Sequence, residues 1–148
     1  MKTFILILII AAFLQSSFIP INLVLILLIS RSLSLIDQAN LAAAFLGGIL
    51  LGLLSAANLG FWALVFLMVV KLIELIKKLP FSVNILTIIP VSLLLILVVE
   101  YSQQLLLGQT LSFTKVIVET VLVLPTYFVF NLLERGTFTP ELKLRRQS

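Results

Sequence analysis

Apolar residues run along almost the whole chain in segments that are separated only by short polar or Pro/Gly breaks. The segments cover residues 4–13, 21–36, 41–55, 60–76, 84–107 and 113–133. A transmembrane helix takes about 20 mostly apolar residues, and backbone polar groups in lipid must pair within the segment, which favours helices. The sequence therefore predicts an all-α polytopic integral membrane protein, a bundle of about six transmembrane helices.

Composition excludes several kinds of chemistry. Of the 148 residues 61% are apolar and 11% are charged, whereas about a quarter are charged in soluble domains. The chain contains no Cys and no His, so it lacks thiolate and imidazole metal ligands and any nucleophile paired with histidine. We therefore predict that the protein is not an enzyme and that it has no cofactor.

Lysine and arginine are distributed unevenly between the two predicted sides of the membrane. Cytoplasmic loops carry the excess of these residues. With six spans and a cytoplasmic N-terminus, the inner side holds Lys2, Arg31, Lys71, Lys77, Lys78, Arg135, Lys143, Arg145 and Arg146. Only Lys115 lies outside. The pattern predicts that both termini are cytoplasmic, that residues 1–136 form the transmembrane domain and that residues 137–148 form a short basic tail. We interpret the net charge of +4 as a signal that orients the protein in the membrane and not as a sign of nucleic-acid binding.

The first 36 residues leave two arrangements open. Residues 1–13 have a basic start and an apolar run like a secretory signal peptide, but no small-x-small cleavage site follows. We expect this segment to be retained. It forms either two short spans, of which the second needs Arg31 to reach back to the cytoplasmic surface, or a pair of re-entrant half-helices.

Four small residues recur at every fourth position of the third segment. Ala44, Gly48, Gly52 and Ala56 therefore share one helix face, which lets another backbone approach closely. We expect this face to pack inside the bundle. The alternative is an interface for a homodimer or a partner protein.

A polar cluster is predicted where the fifth and sixth segments meet the outer leaflet. Its candidate residues are Glu100, Gln104, Lys115 and Glu119, and the last two have the i, i+4 spacing that allows opposite charges to pair. Ionisable groups inside a membrane are costly, so they indicate function when they are deep. The two interpretations are a self-satisfied polar hairpin near the headgroups and a docking or solute-contact site.

The third and fourth segments resemble the rod shape-determining protein D (MreD) family. Members typically show a Gly, three apolar residues, an acidic residue, a short small or polar stretch, then Leu-Gly and an apolar helix with Ala-Leu. Gly48, Leu59-Gly60 and Ala63-Leu64 match this pattern. Gly52 stands where the family often has Asp, so no carboxylate role transfers to this position.

The resemblance implies a non-enzymatic, multi-pass subunit in the bacterial inner (cytoplasmic) membrane. Such a subunit binds the scaffold protein MreC and helps to link MreB filaments to the enzymes of peptidoglycan synthesis during cell elongation. The competing class is the substrate-binding membrane subunit of an energy-coupling-factor vitamin importer, which resembles the MreD family in size and architecture. Importer subunits usually carry a small-residue docking face on their first helix, where this chain shows only Ala11-Ala12.

Overall fold

Six helices make up the fold in the computed structural model, which describes residues 2–56, 58–80 and 82–145 and the side chains of these residues as far as Glu134. The helices are α1 Lys2–Ser17, α2 Leu23–Ser34, α3 Gln38–Leu54, α4 Leu59–Lys78, α5 Ile85–Leu107 and α6 Phe113–Arg145. The described ranges contain no strand. The predicted all-α class is therefore confirmed, and each helix overlaps one apolar segment.

Three of the helical segments are long and apolar enough to cross a membrane: α4, α5 and residues Phe113–Glu134 of α6. The other three helices are apolar but shorter, with 12 to 17 residues each. Large apolar side chains also cover the outside of the bundle, and Leu86 and Phe18 are more than 80% exposed. Soluble monomers rarely expose extended apolar surfaces, whereas lipid accommodates them.

Residues in the breaks between the apolar segments begin and end the helices through local hydrogen bonds and a glycine turn. Asp37 precedes α3, and its side chain accepts a hydrogen bond of 3.3 Å from the Ala39 N–H. Before α5, Thr87 Oγ1 accepts a hydrogen bond of 2.9 Å from the Asn84 N–H. Gly108 ends α5 with φ of +65°, a left-handed conformation that glycine adopts without a steric penalty.

Helix α2 lies at the centre of the bundle and contacts all five other helices. Nine of its 12 residues are buried. At 1.5 Å per residue it is about 18 Å long, well short of the roughly 30 Å of a hydrocarbon core. Because α2 is buried, the backbone groups left unpaired at its two ends need polar partners within the bundle.

Arg31, near the end of α2, lies inside the bundle against α1. It is 8% exposed, and its guanidinium lies 4.3 Å from the centre of the Phe4 ring on α1. A cation over an aromatic face is attracted by the ring quadrupole, and the C-terminal end of a helix also favours positive charge. Helix α1 therefore covers this side of α2 and shields Arg31.

Helix α6 continues past the last apolar segment. Its backbone is helical through Arg145, so most of the predicted tail at 137–148 extends the helix. The side chains after Glu134, which include the predicted basic residues of the tail, lie outside the described residues, as do residues 146–148.

Candidate polar site at one end of the bundle

An open cavity of about 420 Å³ lies at one end of the bundle. Its polar lining consists of Gln15, Ser16, Asn22, Ser55, Trp62, Gln103, Gln109 and Lys115. These residues come from the C-terminal ends of α1, α3 and α5 and from the N-terminal ends of α2, α4 and α6. Consecutive helices therefore alternate in direction, as their short connections predict.

Lys115 lies beside two buried carboxylates at this end of the bundle. Its Nζ is 2.6 Å from Oε1 of Glu100 on α5 and 3.9 Å from Oε1 of Glu119 on α6. The side chains of Glu100 and Glu119 are 4% and 0% exposed. Three of the four residues of the predicted polar cluster thus lie together. The shorter contact joins α5 to α6, so the pairing links two helices and does not merely follow the i, i+4 spacing along one.

Asn22 connects both carboxylates to the start of α2. Its backbone N–H donates a hydrogen bond of 2.8 Å to Glu119 Oε1, and its side-chain Nδ2 donates one of 3.1 Å to Glu100 Oε1. The first N–H groups of a helix lack intrahelical acceptors, and negative charge is favoured beside them. Glu119 therefore caps α2 from a different helix.

Gln15 holds the turn between α1 and α2. Its Nε2 donates a hydrogen bond of 2.8 Å to Asn22 Oδ1, and its Oε1 accepts one of 3.2 Å from the Val24 N–H. Both the nitrogen and the oxygen of this amide are therefore bonded to residues at the start of α2, 7 and 9 positions further along the chain. This arrangement connects α1 to the ion cluster through Asn22.

Gln104 does not join the cluster. It is exposed, whereas its neighbour Gln103 is 2% exposed and lines the cavity. Adjacent helical residues point about 100° apart, so a shift of one position decides which amide faces the bundle. The cavity-lining amide of α5 is Gln103.

Two nitrogen donors in the cavity wall lack a hydrogen-bond partner among the described residues. They are Gln103 Nε2 and Trp62 Nε1, and both side chains are at most 5% exposed. A buried donor without an acceptor costs about 1–3 kcal/mol. Neither nitrogen is accessible to a water molecule, so each can gain an acceptor only if the side chains of the wall move.

The small-residue face of α3 packs against α4 within the chain. A Cβ atom added to Gly48 would lie 2.4 Å from Ala63 Cα, and one added to Gly52 would lie 3.1 Å from Leu59 Cα. Ala44 is fully buried. Ala56 lies outside this face because α3 ends at Leu54 and Ala56 is an exposed turn residue with φ of +50°.

The opposite end of α2 is bound by a lysine. Lys77 Nζ on α4 donates hydrogen bonds to the carbonyl oxygens of Leu33 and Ser32, at 2.6 and 3.3 Å. Ser34 Oγ also donates one of 2.6 Å to Glu134 Oε2. The last carbonyl groups of a helix lack intrahelical donors, so this short helix receives a carboxylate at one end and an ammonium group at the other.

The site can hold helices together and can bind a polar group. Lys115 is already paired with Glu100, and the amides and hydroxyls of the cavity wall can form hydrogen bonds. In the described part of the chain no three acidic side chains gather where they could hold a metal ion.

Sequence reasoning missed Gln15, Asn22 and Trp62 as parts of this site. Gln15 and Asn22 are amides that flank a break in a strongly apolar region, and this is the signal that could have identified them. Trp62 offered no comparable signal, because a Trp near a helix end is common at membrane interfaces.

No protein-family model, no curated protein and no solved structure matches this chain.

Proposed function

We propose that this protein is an MreD-like, non-enzymatic subunit of the bacterial cell-elongation complex in the inner membrane. In this role it binds an MreC-like scaffold protein and, through that scaffold, helps to couple MreB filaments to the enzymes of peptidoglycan synthesis. Its mechanism is assembly and positioning within the membrane.

The contact between α3 and α4 supports this proposal. The residues that carry the family resemblance are Gly48, Leu59-Gly60 and Ala63-Leu64. Gly48 lies against the backbone of Ala63, and Gly52 lies against the backbone of Leu59. Two of the resembling residues, Gly48 and Ala63, therefore form a close helix contact of the kind that small residues allow.

We further propose that all six helices lie in the membrane with the cavity facing the periplasm. Lys2, Lys77 and Lys78 lie at the helix ends away from the cavity, whereas Lys115 lines it. Positive residues concentrate on the cytoplasmic side. The short α2 is compatible with this placement, because the cavity brings water to its recessed N-terminal end.

Co-purification tests the proposal. The tagged protein would be isolated in mild detergent from its native host, and the proteins bound to it would be identified by mass spectrometry. We expect a scaffold with one transmembrane span together with cell-wall synthases. Capture should be lost in G48I, which forces α3 and α4 apart, and retained in G60A, since a Cβ at Gly60 meets nothing within 4 Å. Absence of the scaffold from the wild-type sample would contradict the proposal.

A second candidate function is the substrate-binding subunit of an energy-coupling-factor vitamin importer. The polar cavity favours it, because such a subunit must enclose its solute. Against it, Ala11 and Ala12 on α1 are buried within the bundle, at 6% and 0% exposure, so they offer no docking face to a coupling subunit. Recovery of a membrane coupling subunit with two ATPases in the same experiment would replace the cell-elongation proposal with this one.

A further inference from the structure

We propose that Glu119 is a proton-binding site, whose carboxyl group takes up a proton from water in the cavity and thereby stabilises the bundle around the start of α2. The inference does not depend on which protein partners the chain has. It rests on the number of charges in the polar cluster, on an unpartnered carboxylate oxygen and on the lack of space around that oxygen.

The cluster carries a surplus of negative charge when both of its carboxyl groups are ionised. Two carboxylates, those of Glu100 and Glu119, share the single ammonium group of Lys115, which leaves one negative charge without a partner. The two acidic side chains are 4% and 0% exposed, so water does not screen this charge. Like charges in one buried site disfavour the ionisation of both groups. We therefore expect one of the two carboxyl groups to hold a proton.

The distances place the proton on Glu119 and not on Glu100. Lys115 Nζ lies 2.6 Å from Glu100 Oε1 but 3.9 Å from Glu119 Oε1. Glu100 Oε1 also accepts a hydrogen bond of 3.1 Å from Asn22 Nδ2. Glu119 Oε2, in contrast, has no hydrogen-bond partner among the described residues. Glu100 is thus the better stabilised anion, and Glu119 is the group whose negative charge lacks compensation.

The bond between Glu119 and the start of α2 is compatible with the protonated form. The Asn22 N–H donates a hydrogen bond of 2.8 Å to Glu119 Oε1, and the carbonyl oxygen of a neutral carboxylic acid also accepts such a bond. A proton on Oε2 therefore leaves the cap of α2 intact. Without an acceptor, the new O–H group is still less costly to bury than an unpaired charge.

A proton is the positive charge that fits this position. Glu119 Oε2 is not accessible to a water molecule, so a metal ion or an ammonium group has no room beside it. Helix α6 packs against α2 and α5. Among the described residues that bond to the cluster, these two helix regions contribute the neutral Asn22 and the carboxylate of Glu100, neither of which supplies a further positive charge. Proton uptake balances the cluster without a change in packing.

Lys115 separates Glu119 from the water in the cavity. Its side chain lines the cavity, is 23% exposed and contacts Glu119. Movement of this flexible side chain lets water reach the carboxyl group, and buried groups exchange protons during such local openings. The step forms one O–H bond between Glu119 Oε2 and a hydrated proton from the cavity, and it needs no other reactant.

The pH dependence of stability provides the first test. A carboxyl group that is protonated in the folded protein and ionised in the unfolded chain makes stability fall as the pH rises, by up to about tenfold in the folding equilibrium constant per pH unit. The chain has no His, the side chain that ordinarily titrates near neutral pH. We therefore expect the unfolding temperature of the full-length protein in detergent to fall between about pH 5 and about pH 8.

Two glutamine variants separate Glu119 from other carboxyl groups. E119Q carries an amide that resembles the neutral acid in shape and charge, so it should lose most of this pH dependence. E74Q is the matched control, because Glu74 pairs with Lys71, whose side chain is 59% exposed, and it should keep the pH dependence of wild type. Equal pH dependence in both variants would overturn the proposal.

Infrared spectroscopy of the same samples detects the proton directly. A neutral carboxylic acid has a carbonyl stretching band that ionised carboxylates lack and that shifts in D2O. At about pH 6, we expect this band in wild type and E74Q but not in E119Q. E100Q leaves Lys115 and Glu119 as one positive and one negative group, which balance without a proton, so the band should be lost although Glu119 is present.

Thermal unfolding shows whether each variant is folded. Should E119Q fail to fold, the comparison of wild type with E100Q still decides the question. Absence of the band from wild type, or its persistence in folded E100Q, would refute the inference.

Discussion

The carboxylate of Glu119 accepts a hydrogen bond from the backbone N–H of Asn22, a residue 97 positions earlier in the chain. This contact joins the start of the central helix α2 to the first third of α6. Together with Lys115 and Glu100 it forms a buried polar cluster at one end of an otherwise apolar bundle. The stability of the bundle should therefore depend strongly on a few polar residues, and their contributions can be measured separately.

Replacement of Lys115 by Met should be strongly destabilising. It leaves Glu100 and Glu119, which are 4% and 0% exposed, without their positive partner, and breaking a buried ion pair typically costs about 3–5 kcal/mol. K71M is the matched control, because the Lys71–Glu74 pair has a lysine side chain that is 59% exposed and exposed pairs contribute at most about 1 kcal/mol. Unfolding in detergent would measure both variants, and equal losses would contradict the role of the cluster.

Replacement of Asn22 by Ala should destabilise the protein by about 2–3 kcal/mol. The change removes the hydrogen bonds of the side chain to Glu100 and Gln15, and partners left unsatisfied in a buried site are costly. Asn58 is the matched residue before α4; it is exposed and its side chain makes no capping bond. N58A should leave the unfolding midpoint nearly unchanged, so a similar loss in both variants would refute the assigned role of Asn22.

Replacement of Gly48 by Ala should destabilise the bundle by at least about 2 kcal/mol. The added Cβ would meet the backbone of Ala63 at 2.4 Å, and a backbone cannot move aside as a side chain can. G60A adds the same atom in open space and should stay within about 1 kcal/mol of wild type. Thermal unfolding followed by circular dichroism compares the two, and an unchanged midpoint in G48A would show that the helices can separate at no cost.

The proposed orientation predicts a difference in labelling between the two ends of the bundle. The chain has no Cys, so a single introduced Cys reports its own position. Gln109 and Lys78 are exposed residues at opposite ends. In spheroplasts, Q109C should react with a membrane-impermeant maleimide, whereas K78C should react only after permeabilisation. The reverse pattern would invert the proposed orientation.

The positions of the helices could be predicted from the sequence, because apolar segments and Pro/Gly breaks are local signals. All six apolar segments correspond to helices. The extension of α6 through Arg145 was not predicted, since the apolar pattern on which the segment boundaries depended ends near residue 133.

The candidate site could be predicted only where its contacts are local in sequence. Lys115 and Glu119 were placed together by their spacing, and Glu100 by the hairpin between α5 and α6. The hydrogen bonds of Asn22 to Glu100 and Glu119 span 78 and 97 positions, and no local pattern encodes such pairs. Gln104, and not Gln103, was predicted to belong to the polar cluster. Apolar residues occur on every side of α5, so the sequence does not show which face of the helix points into the bundle.

The buried α2 also affects how the chain is made. Bacterial and eukaryotic ribosomes add about 5–20 residues per second, so Glu119 is synthesised roughly 5–20 s after Asn22, whose N–H it accepts across 97 positions. Until then, α2, a helix of 12 residues, has neither carboxylate at its N-terminal end. The nascent chain must therefore pass through a form in which the ends of α2 are held only by Gln15 and, once α4 is made, by Lys77, and a chain that stops after α4 would stay in that form.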